Sequence, residues 1–138
     1  MSQFRISEAA ALLGVSDDTV RRWADQGRLA TTRAANGMLV VEGSALVPLM
    51  AEGGAAEGLA DAFPLARASA RNRFVGLVTR VQRDGVMAQV DLQAGPFRVV
   101  SLMSREAADE LGLEPGMLAS ASVKATNVTI ELPPGTSA

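Results

Sequence analysis

The sequence predicts an α+β protein of two domains, a mostly helical N-terminal module followed by a small β-barrel. Two observations carry that expectation. Between Phe4 and Met50 the apolar residues fall into short capped stretches with helical spacing, whereas beyond Val75 they alternate with a period of two. Between these regions lies AEGGAAEGLADAFPLARA, rich in Ala and Gly, holding Pro64 and without a clear apolar period, which reads as a linker. A chain of 138 residues has room for two small modules, each with a modest core. The expected boundaries are 1–51 for the first module, 52–67 for the linker, 68–133 for the second module and 134–138 for a disordered tail.

The first module is expected to open with two helices. Ser7 can cap one whose Ala9, Ala10, Leu12 and Leu13 form an apolar face, and Gly14 can end it. Ser16 can cap the next, with Asp17 and Asp18 in the first turn, where the helix dipole favours negative charge, and with Gly27 as the stop. On this second helix Val20 and Trp23 face inward, leaving Thr19, Arg21 and Arg22 free to face out. Asn36-Gly37, between Thr31–Arg33 and Met38–Val41, predicts a type I′ hairpin. Ser44 is the expected cap of a third helix through Leu46, Leu49 and Met50, with Pro48 in its first turns.

In the second module Val75, Leu77, Thr79 and Val81 alternate, then Val86, Ala88, Val90 and Leu92, then Phe97, Val99 and Ser101. A helix capped by Ser104 follows in SREAADELGL, the EPG at 114–116 turns the chain, and MLASASVKA and TNVTIEL alternate again. Short strands with one interposed helix suggest a small closed barrel of the oligomer-binding kind.

Composition excludes several functions. The chain has no Cys and no His, so the common zinc and thiol sites and the usual general base are missing. Glu106, Asp109 and Glu110 are better explained as the solvated face of a helix than as catalytic carboxylates, and no enzymatic activity is expected. The formal net charge is −2, and residues 1–50 hold as many acids as arginines, so neither half is a basic arm that binds nucleic acid by charge alone. No apolar run approaches a membrane span, and MSQFRISEAA lacks the character of a secretory signal, so a cytoplasmic protein without membrane contact is expected.

A short Gly-containing turn joining an alanine-rich helix to one with exposed Thr and Arg is the helix-turn-helix pattern. With the NG hairpin after ISEAAALLGVSDDTVRRWADQGRL, the stretch from Phe4 to Met50 resembles the winged helix-turn-helix of the MerR and excisionase-like families. The resemblance implies that Ser16, Thr19, Arg21 and Arg22 face the major groove or its phosphates of double-stranded DNA, with Arg33 on the wing near the backbone. Trp23 is expected in the core.

The segment ASARNRFVGLVTRV places donors at the mouth of a strand, where they form either a solvated lead-in or a receptor for something negative. SARN, VVSLMSREAADELGLEPG and VKATNVTI, in that order, resemble the Mop or TOBE molybdate-binding domain over residues 68–132. The resemblance implies an oxyanion, molybdate or tungstate, held at a subunit interface by Ser69, the Ala70 N–H, Arg71, Ser101, Lys124 and Thr126, with Asn72 as a further candidate. Ser101 stands where Thr is frequent in that family. The residue chemistry agrees, because deprotonated molybdate offers only acceptor oxygens and the set contains donors and no carboxylate. Lys124 is the single lysine among twelve arginines.

These features point to a molybdate- or tungstate-responsive DNA-binding regulator, active as a homo-oligomer, a dimer or a higher form such as a hexamer, with the oxyanion as ligand and no catalytic cofactor. The alternative is a storage or buffering protein of the molbindin type, which needs no helix-turn-helix. The accessory domain of a transport ATPase is excluded within this sequence, because its one lysine follows Val123 and no Gly-Lys-Ser/Thr loop exists.

Overall fold

The computed structural model describes residues 2–50 and 67–135. The segment expected as a linker lies outside them except for Arg67, as do residues 136–138 of the expected tail.

The chain begins with a strand that the sequence pattern does not announce, β1 (Gln3–Arg5), which leads directly into α1 (Ile6–Leu13). Ser7 is therefore not the cap of α1. Arg5 holds that position, and Glu8 reaches back to accept from the Arg5 N–H at 2.9 Å and from its Nε at 3.3 Å. Gly14, at φ 71°, closes the helix by letting its own N–H and that of Val15 reach the Ala11 and Ala10 carbonyls. Ser16 caps α2 (Asp17–Asp25) as expected, its Oγ accepting from the Thr19 N–H at 3.2 Å. Helix α1 buries Ile6, Ala9, Ala10, Leu12 and Leu13, while α2 buries Val20 and keeps a polar outer face. Trp23 packs against this core, with the Arg28 guanidinium 4.8 Å from its ring centroid.

Strands β2 (Thr32–Arg33) and β3 (Leu39–Glu42) form the expected hairpin, and β1 joins it in the order β1-β3-β2. The turn is not type I′, which needs positive φ at both central residues. Gly37 has it, Asn36 does not, and the loop closes through Gly37 N–H to Ala34 O at 2.9 Å and Ala34 N–H to Met38 O at 2.8 Å. Asn36 instead accepts from the Met38 N–H through Oδ1 at 3.0 Å. Helix α3 (Gly43–Met50) starts one residue before Ser44, so Ser44 is not its cap. Pro48 lies inside α3, where it lacks the N–H that would reach the Ser44 carbonyl.

The second region is an antiparallel sheet of β4 (Asn72–Asp84), β5 (Met87–Ala94), β6 (Phe97–Ser104) and β7 (Leu118–Val123), in the order β6-β5-β4-β7. The first half of β4 pairs with β7 and the second with β5, and the register slips at Thr79, where Val78 faces Leu92 but Arg80 faces Asp91. Such a bulge bends the strand and curls the sheet. Helix α4 (Arg105–Leu111) is capped by Ser104 as expected and ends at Gly112.

Two expectations for this half are corrected. Residues 126–132 are not a strand: a 3₁₀ turn (Ala125–Asn127) follows β7, and the chain beyond it joins no ladder among the described residues. Its alternating Val128, Ile130 and Leu132 are 44%, 83% and 65% exposed, so no cross-strand partner exists among the described residues to hold them in a sheet. Barrel closure by hydrogen bonding is consequently not seen, and β6 and β7 remain the edges of a curled sheet. Both edges line one apolar groove of about 620 Å³.

Among the described residues the core has two clusters. Val78, Ala88, Val90, Leu92, Ala94, Ala108 and Leu113 lie between the sheet and α4. The other joins the helices and β3 to the sheet, since Phe4, Leu46 and Met50 share it with Val75 and Leu77 of β4.

Candidate functional site

The ladder between β4 and β7 begins at Asn72↔Val123. That register places Arg71 and Lys124, each one residue beyond the pair, at the same end of the two strands. Asn72 fastens this end by donating from Nδ2 to the Val123 carbonyl at 3.2 Å. One of its two amide hydrogens is therefore used within the chain, which makes Asn72 a brace with one side-chain donor left over. Lys124 is also the residue from which the 3₁₀ turn springs, with Asn127 N–H on its carbonyl at 2.9 Å, so Thr126 follows close behind it. Ser69, Arg71, Lys124 and Thr126 are exposed and Ala70 is half-buried.

Neither Arg71 nor Lys124 has a carboxylate within ion-pair distance among the described residues. The result is a sheet end with two cations and several N–H and O–H groups, where no carboxylate of the described residues is ion-paired to either cation. Ser101 stands apart. It lies on β6 opposite Val90 and lines the apolar groove together with Val123, but it makes no hydrogen bond to the other candidates. The structure thus brings Arg71, Asn72, Lys124 and Thr126 to one place and leaves Ser101 across the groove.

Sequence reasoning overlooks Arg73. Its guanidinium donates to the Ala68 carbonyl at 3.1 Å and so ties down the lead-in that carries Ser69 and Ala70. Only the strand register could have revealed this, since the sequence shows Arg73 as one more basic residue. Asp91 is overlooked as well, because alternation alone puts it on the solvent side of its strand. It is 6% exposed, with Arg98 Nη2 at 2.8 Å and Gln89 Nε2 at 3.1 Å. Burial opposes its ionisation, but the hydrogen bonds from Gln89 and Arg98 and the charges of Arg98 and Arg80 outweigh that and hold the carboxyl below its ordinary value.

In the N-terminal region Arg5, Arg21 and Arg33 line a depression of about 340 Å³ with Ser7, Asp17 and Gly37. Arg33 is steadied by donating from Nη1 to the Gly37 carbonyl at 2.8 Å. Arg22 is exposed in the last turn of α2, outside that depression. Ser16 and Thr19 bond each other through their hydroxyls at 2.9 Å, so both are engaged in capping α2. Arg5 escapes the sequence reading because β1, which positions it, does. Among the described residues no three acidic side chains cluster in a way that could hold a metal ion, and no helix is long and apolar enough to cross a membrane.

Comparison with known proteins finds two families along the chain. Residues 68–130 match the TOBE domain and residues 5–38 match the MerR family regulatory protein. Molybdenum-pterin-binding proteins 2 and 3 of Clostridium pasteurianum are each 38% identical over 63 residues, 45% of this chain and 93% of theirs. Among solved structures, a molybdate binding protein from Sporomusa ovata is 25% identical, with a TM-score of 0.47 over 49% of this chain and all of its own. MopII from Clostridium pasteurianum is 36% identical, with a TM-score of 0.45 over 48% of this chain and all of its own. ModG, described as a cytoplasmic molybdate-binding protein, is 43% identical, with a TM-score of 0.45 over 49% of each chain. Both matching families are binding and regulatory rather than catalytic. The chain belongs to the TOBE-domain family and carries a MerR-family regulatory segment ahead of that domain.

Proposed function

We propose that this protein is a cytoplasmic transcriptional regulator that binds molybdate or tungstate through its C-terminal region and double-stranded DNA through its N-terminal region. The observation that carries the reading is the β4–β7 register, which sets Arg71 and Lys124 at one sheet end without an acidic neighbour among the described residues. A tetrahedral dianion with four acceptor oxygens suits such a set, and the TOBE match covers residues 68–130, while the relatives named for molybdenum-pterin match a stretch of the same 63-residue length. Arg71, Lys124, Thr126, Ser69 and the Ala70 N–H would hold it, with Asn72 and Arg73 bracing them. Ser101 joins the set from another subunit or after the groove narrows.

The N-terminal elements act in this reading as a winged helix-turn-helix, with α2 as recognition helix and β2–β3 as wing. Arg21 and Arg22 contact bases or phosphates, Arg33 and Arg5 contact the backbone, and Ser16 and Thr19 hold the helix end in shape. The protein works as a homo-oligomer. Its exposed Ile130, Leu132 and the β6 residue Leu102 supply apolar surface for assembly, and paired recognition helices suit a symmetric operator. The storage reading is favoured by one observation, that the curated relatives correspond almost entirely to the C-terminal half.

Calorimetric titration with molybdate, tungstate and sulfate tests the ligand. Anisotropy with duplex from upstream of the protein's own gene tests the DNA. Binding of the metal oxyanions with much weaker sulfate binding, together with DNA binding, supports the regulator; oxyanion binding without DNA binding leaves the storage protein, and no heat with either metal oxyanion ends the reading.

A further inference from the structure

Gly43 and Gly116 meet backbone to backbone. A Cβ built on Gly43 would fall on the Gly116 carbonyl oxygen and lie 2.8 Å from its carbonyl carbon, and one built on Gly116 would fall on the Ser44 nitrogen and lie 2.7 Å from the Gly43 carbonyl carbon. Both residues are buried. Gly116 needs glycine for its φ of +92° as well, whereas Gly43 is outside the left-handed region, so at Gly43 closeness is the constraint. The contact between the two glycines is backbone on backbone, with the edge of the Phe4 ring 3.0 Å from the same Gly43 Cβ position.

Each glycine is bolted to an element that leads to one of the two anion-facing surfaces. Gly116 donates to the Val78 carbonyl at 2.7 Å, and the Val78 N–H donates to the Met117 carbonyl at 2.9 Å. From there the β4–β7 ladder runs without interruption from Leu77↔Leu118 to Asn72↔Val123, where Arg71 and Lys124 stand. At roughly 3.3 Å per residue that is about 17 Å of rigid two-stranded ribbon. On the other side, the Gly43 N–H donates to the Ser2 carbonyl at 2.8 Å, and Gly43 directly follows β3. Strand β3 pairs with β2 at Arg33↔Leu39, so its far end carries the hairpin and Arg33. The apolar flank is continuous too, because Phe4 and Leu46 share a cluster with Val75 and Leu77, and Leu118 packs against it.

We propose that the Gly43–Gly116 contact is the joint through which oxyanion occupancy at the β4–β7 end and DNA contact at α2 and the β2–β3 hairpin act on each other. The inference rests on the function proposed above. A dianion drawing Arg71 toward Lys124 changes the set of the β4–β7 ribbon at one end, and the turn at Gly116 moves at the other. Because backbone lies on backbone, α3 and β3 must follow as a body or the contact must break; close-packed interfaces switch rather than compress. Linkage requires the effect to run both ways, so DNA that favours one arrangement alters oxyanion affinity by the same factor.

The test uses the full chain. Anisotropy with the upstream duplex is measured with and without saturating molybdate, and molybdate affinity is measured by calorimetry, for wild type, Gly43→Ala and Leu118→Ala. The Gly43 change adds one methyl group that collides with the Gly116 carbonyl without backbone strain, and the Leu118 change loosens the flank without a collision. In wild type molybdate is expected to change DNA affinity by about fivefold or more. In Gly43→Ala that ratio should fall to near one, and in Leu118→Ala to an intermediate value, while each separate affinity stays within about threefold of wild type. Calorimetric unfolding should show one transition in wild type and two in Gly43→Ala. If Gly43→Ala does not fold, the Leu118→Ala ratio decides. A ratio unchanged from wild type in the folded variants, or a wild-type ratio of one, overturns the joint while leaving both binding activities standing. Wild-type protein that binds neither molybdate nor DNA instead sinks the proposed function and the joint together.

Discussion

Around the depression in the N-terminal region the cations keep company with other groups: Asp17 lines it, Arg5 is paired with Glu8 at 3.3 Å, and Arg33 donates to the Gly37 carbonyl. At the end of β4 and β7, Arg71 and Lys124 face no carboxylate among the described residues. The difference matches the sizes of the anions proposed for each. A duplex offers many phosphates along a line, so local partners can be exchanged one by one and the sum of contacts, tuned by salt, decides affinity. A single small dianion has few oxygens, and every donor already used or every nearby carboxylate is a direct loss.

The largest effect should come from the core that joins the two regions. Leu77 is 0% exposed and packs in the cluster that includes Phe4 and Leu46. Truncation to Ala should cost about 2–5 kcal/mol and lower the melting of helical and sheet regions together. A calorimetric trace in which the helical half melts at its original temperature would show that the two surfaces sit on independent modules.

Arg71→Ala and Lys124→Ala come next. Each removes one of the two cations placed at that sheet end, and each should weaken molybdate binding by about 1.5–3 kcal/mol while leaving circular dichroism unchanged. Wild-type affinity in both variants would move the oxyanion elsewhere. The double variant Arg21→Ala/Arg22→Ala should weaken duplex binding by about 1–3 kcal/mol for every base that either arginine reads, and flatten the salt dependence by roughly one unit of slope for every phosphate it neutralises. Oxyanion affinity measured without DNA should stay put; a parallel loss there would erase the contrast between the surfaces.

How much of this is legible in the sequence varies with the range of the interaction. Gly14, Ser16 and Ser104 can be read in their roles because a cap is decided by residues within one turn. Ser7 and Ser44 fail as caps for the complementary reason: β1 and β3 run straight into their helices and fix the starting points from outside. The end-to-end gathering of Arg71 and Lys124 depends on a ladder between residues about fifty apart, and the sequence reaches it only through family resemblance. Arg5 and Arg73 are invisible to pattern because their value lies in the strands that place them. Val128, Ile130 and Leu132 show the opposite error, since alternation marks a segment fit for a sheet and a strand also requires a partner.

Asp91 sharpens the comparison from the other side, because it is a carboxylate of the C-terminal sheet that is engaged by Arg98 and Gln89 rather than by Arg71 or Lys124. It accepts from Arg98 and Gln89, on β6 and β5, and these contacts lower its pKa despite burial. Charge is therefore favoured more in the folded chain than in the unfolded one. The stabilisation is fully present above the ordinary carboxyl value near 3.8 and is lost as pH falls through the lower folded-state value. Asp91→Asn keeps the size and removes the charge, and at pH 7 it should destabilise by about 1–2 kcal/mol. Urea unfolding of both proteins at pH 7 and again well below pH 4 should show that gap closing on acidification, with molybdate affinity at pH 7 little changed. A gap that persists in acid would mean that shape rather than charge holds β5 to β6, and a large loss of molybdate affinity would mean that Asp91 also organises the sheet end that carries Arg71 and Lys124.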